Sequence, residues 1–406
     1  MRNSTNTSLI QTRIISPYLY FAISWSIVLI AYLLYWSDLL PRLSEGLLLF
    51  FLIAIAFCAI LFYFSGKLEF NFQINEKKMK KKLKQGAFFC IFLFSLEAVA
   101  ARSFPLLSII KGNFTYAEFG LPFVHVILYA FSSIYVSLSF LSYEITRIKN
   151  FRYYTLFFFF PGILCFTRSF IMYNFLYCLI IHFSFKRFDI KTVFRTFLML
   201  FILAYGFIMA FGYLGEIRSN SKDVGGRYIE AISKPSKKFK QTGLSPLLLW
   251  GYDYVVTPLG NLQNTMNSGK YVPCSSIDDA ELIFYHFMPE LFKKRIFPSA
   301  EEKTDLIVPY FNVSSIFTDA WAKLGWSGIL YSFFGMIVIV AVVYRLKKMK
   351  NMYSYLSFVF LSVIVFFNMF TNMFNFMGLA PQFWLAFIMS FSWKKFFSIN
   401  DVIKAE

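Results

Sequence analysis

Three histidines and five cysteines are spread over 406 residues, too few and too scattered to suggest a metal centre. His125, His182 and His286 sit on separate stretches without ligand spacing. Cys58, Cys90, Cys165 and Cys178 lie inside apolar runs and leave Cys274 by itself in a polar one, so no disulfide framework follows. Acid is scarce too, with 22 Asp and Glu against 40 Lys and Arg. G-x-S-x-G, P-loop and H-E-x-x-H patterns are absent, as are an internal repeat and a linker that would separate a soluble domain. The first 17 residues carry Arg2 and Arg13 but no apolar core followed by a small-residue cleavage site, so no removable signal peptide is expected.

What is abundant is apolar and aromatic. The chain is 58% hydrophobic and 21% aromatic, with 55 Phe and a mean hydropathy of +0.57. That is too oily for a soluble domain and predicts a polytopic membrane protein. A bilayer core about 30 Å thick needs about 20 apolar residues per helix. Apolar runs suited to spans occur near 18–36, 46–65, 87–101, 121–143, 154–167, 169–185, 192–214, 325–344, 352–371 and 379–398. The runs are apolar on every face, which predicts an all-α fold of about ten transmembrane helices and not a barrel.

The net charge of +18 would suit a nucleic-acid partner if it formed one patch, but the basic residues alternate with the spans. Topology explains them better. With 154–185 split in two around Arg168, the segments on one side of the membrane hold 23 of the 40 Lys and Arg. The short turns opposite hold only Arg42, Arg102, Lys111 and Arg168. The positive-inside rule then places both termini in the cytoplasm. A single span over 154–185 would invert everything after it and put Lys186, Arg187 and Arg345 outside.

The polar stretch from Gly215 to Asn312 is far longer than an ordinary connection and mixes aromatics, proline and charge, so it is expected to be a folded extracytoplasmic loop. The organisation is therefore residues 1–214 with seven spans, 215–324 as the large outer loop, and 325–406 with three spans. Leu247 to Leu262 and Ala280 to Phe297 read as short interfacial helices broken by Pro258 and Pro289.

Ionisable groups at membrane depth are functional candidates. Glu97 in the third span is either paired with Arg102, which would hold that helix end, or a base or orienting group. Arg168 in its outward turn is either a cation reaching for headgroups or a guanidinium fork aimed at phosphate oxygens. Arg218 and Arg227 follow the seventh span around Gly225-Gly226, where they meet anionic lipid or cradle an anionic headgroup. Lys234 to Lys240 reads as a solvated face. His125, His286, Asp253 and Asp319 all fall on the outer side, where each is either a satisfied hydrogen-bonding group or a base. Group transfer at that face has no ATP or nucleotide sugar to draw on. It needs a donor already activated in the membrane, such as a lipid-linked diphosphate sugar, with cations meeting the leaving diphosphate and a carboxylate or imidazole taking the acceptor proton.

Several stretches together resemble the bacterial oligosaccharide repeat-unit polymerases, the O-antigen or capsule polymerase family often called Wzy. They are Glu97 ahead of Phe104-Pro105-Leu106-Leu107; Phe119-Gly120-Leu121-Pro122 with His125; Arg168; Tyr254 with Pro258-Leu259-Gly260-Asn261-Leu262; and Asn312-Val313-Ser314 with Asp319 and Gly325-x-x-Gly328. The resemblance covers about residues 90 to 330. The chain departs from the family pattern at Arg102-Ser103-Phe104, where small residues are usual, and at Ser315, where threonine is common.

The resemblance implies a C-type glycosyltransferase architecture in the bacterial inner membrane with its active face towards the periplasm. A polymer on undecaprenyl diphosphate would be transferred en bloc to a new lipid-linked repeat unit. It implies Arg168, Arg218 and Arg227 as diphosphate binders, Glu97, His125, Asp253 or Asp319 as the acceptor-activating group, and Tyr254, Asn261 and His286 as substrate contacts. The implied partners are the lipid-linked donor and acceptor, membrane lipid, a chain-length regulator and a flippase, with no cofactor, metal or nucleic acid. An O-antigen ligase is the related alternative, kept open by His286. A flippase or transporter would explain the spans but needs no large outer cap, and no inverted pair of broken helices is seen.

Overall fold

The computed structural model describes residues 5–110, 119–165, 167–186, 226–269, 285–290, 305–349 and 351–391, with isolated positions between 195 and 216. In chain order the elements are β1 (Thr5–Thr12), α1 (Pro17–Leu33), α2 (Glu45–Phe64), β2 (Leu68–Asn75), α3 (Glu76–Ala100), α4 (Pro105–Ile110), α5 (Pro122–Thr146), α6 (Lys149–Phe157), α7 (Phe160–Leu164) and α8 (Arg168–Ser184). They are followed by α9 (Arg227–Ser233), α10 (Lys237–Gln241), α11 (Leu248–Asn267), α12 (Ile316–Arg345), α13 (Met352–Phe367) and α14 (Ala380–Ser390).

The fold is mostly helical, and four helices, α2, α3, α5 and α12, are long and apolar enough to cross a membrane. α2 shows why hydrocarbon suits them. It buries only Leu47, Phe51, Ala54 and Cys58, a single narrow stripe, while Leu49, Leu52, Ile53, Ile60 and Phe64 stay exposed. In water such a face would be an aggregation surface; in lipid it is solvated. The other expected spans that are described carry shorter helices, and 192–214 is described only at isolated positions. The chain is not one helix across 154–185, since α7 ends at Leu164 and α8 starts at Arg168.

α13 is the axis of the bundle. All but one of its residues are buried, and it packs on α1, α5, α8 and α14. Asn351 and Ser354 start it with a reciprocal capping box. Its serines are satisfied by backbone carbonyls, Ser357 donating to Tyr353 and Ser362 to Ile15.

The expectation of an all-α chain is corrected in one place. β1 and β2 pair antiparallel from Thr5 opposite Asn75 to Thr12 opposite Leu68. β2 reads Leu-Glu-Phe-Asn-Phe-Gln-Ile-Asn, and the alternation is obeyed: Leu68, Phe70, Phe72 and Ile74 are buried. Phe70 and Phe72 set their rings edge-on against Tyr355 of α13. The ribbon thus plugs the end of the bundle that carries Lys77 to Lys84, Arg147 to Arg152 and Arg345 to Lys348. The opposite end carries the C-terminus of α3, the N-termini of α5 and α8, and the segment around α11.

Two further expectations need correcting. α11 is not broken at Pro258 but runs through it, and it is no surface helix: Tyr252, Asp253, Val256, Leu259, Asn261 and Leu262 are among its buried residues. Packing on α1 and α12 supports the helix where proline removes one internal bond. Most of 280–297 lies outside the described residues. Gly226 has φ +98°, and a Cβ there would meet Pro246 at 2.8 Å; Gly225 and the basic loop from Arg218 up to it lie outside the described residues.

Candidate functional site

At the end opposite the ribbon, Glu97 sits in the last turn of α3 with a fully buried side chain. Burying a carboxylate is costly unless it is paired. Its partner is His125, in the first turn of α5, whose Nδ1 lies 3.1 Å from Glu97 Oε2. Arg102, the alternative partner read from sequence, is not the one used. Gly120 makes room for the pair: its φ is +111°, and a Cβ there would come within 3.0 Å of His125 Nδ1. With the carboxylate ionised it can only accept, so Nδ1 donates, and in the neutral ring this leaves the lone pair on Nε2. The imidazole is 28% exposed while the carboxylate is closed off behind it.

The network continues. The His125 ring lies 4.2 Å from that of Tyr129, and Tyr129 Oη is 2.6 Å from Thr167 Oγ1. Thr167 is the N-cap position of α8, and Arg168 is its first residue, exposed. Glu97, His125 and Arg168 are therefore brought to one place by three helix ends.

A second cluster forms on α11. Asp253 is buried, and Ser233 Oγ donates to its Oδ2. Burial pushes the Asp253 carboxyl up to about 7, with the Ser233 hydrogen bond opposing. Asp253 and the exposed Tyr254 line a cleft with Tyr228, Trp250, Tyr310 and Asn312. Arg227 opens α9 beside Tyr228 and is exposed. Arg218 lies outside the described residues.

The remaining candidates are not among the described residues that line this cleft. Asn261 spends its amide on backbone, donating to Phe311 O and Val313 O at 2.8 Å each and accepting from Ile307 N at 2.9 Å, which pins 305–313 onto α11. His286 is buried against Phe287 and Tyr331, and burial with Lys323 nearby pulls its imidazole down to about 3. Asp319 is half-buried in the first turn of α12, where a negative charge suits the helix dipole, behind a Ser315–Thr318 capping box.

Sequence reasoning missed Tyr129, Thr167, Ser233 and Glu216. Buried Glu216 accepts from Tyr228 N, Ile229 N and Trp250 Nε1 at 3.0–3.1 Å. It also missed a second Glu–His pair at the ribbon end, where Glu144 Oε1 is 2.8 Å from His182 Nδ1 and Arg147 Nη1 is 2.6 Å from Glu144 Oε2. A broader groove of about 630 Å³ between α3 and α6 is lined by Phe88, Ile91, Tyr153 and Phe157, with Lys84 the only charge among its described lining residues. No group of three or more metal-ligating side chains occurs among the described residues.

No protein-family model matches the chain, and no curated protein and no solved structure matches it.

Proposed function

We propose that this chain polymerises oligosaccharide repeat units carried on a polyprenyl diphosphate, as the resemblance of its motifs to the repeat-unit polymerases implies. The observation that carries the reading is the Glu97–His125 pair: a partly exposed imidazole whose Nδ1 is held by a buried carboxylate. That arrangement orients Nε2 as a general base and stabilises the imidazolium it becomes.

In the proposed step an acceptor hydroxyl of the new repeat unit gives its proton to His125 Nε2. Its oxygen bonds to the anomeric carbon of the polymer as the bond from that carbon to the diphosphate breaks. The departing polyprenyl diphosphate gains negative charge, which Arg168, Arg218 and Arg227 would meet with guanidinium donors. With the basic ribbon end on the cytoplasmic side, the pair faces the periplasm of a bacterial inner membrane, where lipid-linked substrates are presented.

The test is a gel of lipopolysaccharide from a strain with the gene deleted and then restored. Core bearing a single repeat unit, with the ladder returning on complementation, is the expected result. Bare core would point to ligation or flipping instead, and an unchanged ladder would remove the reading for this polymer.

A further inference from the structure

The cleft on α11 encloses about 140 Å³, and its walls divide by chemistry. Tyr228, Trp250, Tyr254 and Tyr310 supply aromatic surface, while Asp253 and Asn312 supply polar edges. We propose that this cleft binds one pyranose ring of the glycan, stacked on the tyrosines with its hydroxyls on Asp253 and Asn312. The identity of the biological ligand rests on the polymerase reading above.

A pyranose has the same division, with C–H groups on its faces and hydroxyls around its rim. Small-molecule sites combine mostly apolar and aromatic walls with a few placed polar groups. The wall is held ready. Trp250 and Tyr228 lie with near-parallel rings, 21° apart, and the same carboxylate, Glu216, accepts from the Trp250 indole and from the Tyr228 backbone. Asp253 Oδ2 is taken by Ser233, and Oδ1 has no hydrogen-bond partner among the described residues, which leaves it to meet a hydroxyl. Tyr254 and Tyr310 are 44% and 70% exposed, so their rings are accessible at the mouth of the cleft.

Other occupants fit less well. Among the described residues the lining carries the Asp253 carboxyl and no Lys or Arg, which disfavours a phosphate there. An acyl chain would cover Asp253 Oδ1 and the Asn312 amide while offering them no hydrogen bond. The volume suits a single ring, so the cleft would read one sugar and not a stretch of chain.

The experiment uses full-length protein in nanodiscs and, as probe, the repeat-unit oligosaccharide released from its lipid carrier by mild acid, titrated by calorimetry. Wild type should bind. Tyr254→Ala and Asn312→Ala should each weaken binding about tenfold, a loss on the scale of an aromatic stack or a hydrogen bond. Both side chains are exposed, so unfolding is not the expected cause, and an unchanged thermal midpoint checks it. Unchanged binding in both cleft variants, or no binding by wild type, overturns the subsite. The polymerase reading is judged separately, by whether His125→Ala loses the ladder.

Discussion

Glu97 and His125 lie 28 positions apart and meet through one contact of 3.1 Å, from the last turn of α3 to the first turn of α5. The carboxylate is wholly enclosed and its Oε1 finds no hydrogen-bond partner among the described residues, so its one polar contact is the imidazole. A pair with this asymmetry is suited to holding a base in one tautomer. Glu97→Gln and His125→Ala should each lower polymer formation by roughly 10² to 10⁴, the usual reach of general-base catalysis. Rates of glycan extension in membranes, normalised to protein present, would decide this. Near-normal rates in both variants would exclude the pair from the chemistry.

Asp253 should make stability fall with rising pH. Its folded carboxyl stands at about 7 against an ordinary 3.8, because burial disfavours the charge. Below about pH 4 the group is protonated whether folded or not, and its contribution is fully present. Between there and pH 7 the unfolded chain gives up its proton first, so up to about 4 kcal/mol is lost. Thermal unfolding at pH 5 and pH 8 should show the wild-type midpoint dropping and that of Asp253→Asn dropping less.

His286 has the opposite sign. Its folded imidazole is pulled down to about 3, so its contribution is intact above about 6.5 and is lost as pH falls towards 3. His286→Ala should cost roughly 2 to 5 kcal/mol through the cavity left beside Phe287 and Tyr331. A lowered unfolding midpoint with a normal rate per folded molecule is expected; a lost rate at full stability would return His286 to the substrate.

Asn261→Ala removes three hydrogen bonds that hold 305–313 on α11 and leaves partly buried backbone groups unpaired. A loss of roughly 2 to 4 kcal/mol follows. Limited proteolysis should find new cleavage within 305–313, and unchanged protection there would contradict the pinning role.

Gly325 has φ 60° and ψ −138°, a kink within α12. The bend brings Gly328 so near Ala320 that a Cβ would sit 2.0 Å from the Ala320 carbonyl oxygen. Gly325→Ala should cost roughly 1 to 3 kcal/mol in backbone strain, and Gly328→Ala should be worse because the clash is with main chain. Yield of folded protein from size-exclusion chromatography in detergent would rank wild type, Gly325→Ala and Gly328→Ala in that order.

Local composition and periodicity were enough to mark the apolar helices, because a residue apolar on every side of a helix needs no partner to declare itself. They were also enough to mark Glu97, His125, Arg168 and Asp253 as candidates, since an ionisable group in or beside the apolar spans stands out, whereas Tyr254 came only from the resemblance. The alternation Leu68, Phe70, Phe72, Ile74 was equally legible and predicts a strand, but the surrounding helical signal obscured it. Which acid meets which cation or imidazole was not legible. Arg102 is five residues from Glu97 and His125 is 28, yet the fold chose His125, because helix directions and the turn at Gly120 bring those two ends together. Asn261 and Asp253 share one helix, and only packing made the first a clamp for 305–313 and the second a wall of a cleft. Sequence by itself determined an oily helical chain with polar chemistry gathered between its helices, since partitioning depends on each side chain's own free energy of transfer. Tertiary structure alone decided the pairings, the burial that moves Asp253 and His286, and the shape of the aromatic cleft, since these depend on distances between residues far apart along the chain.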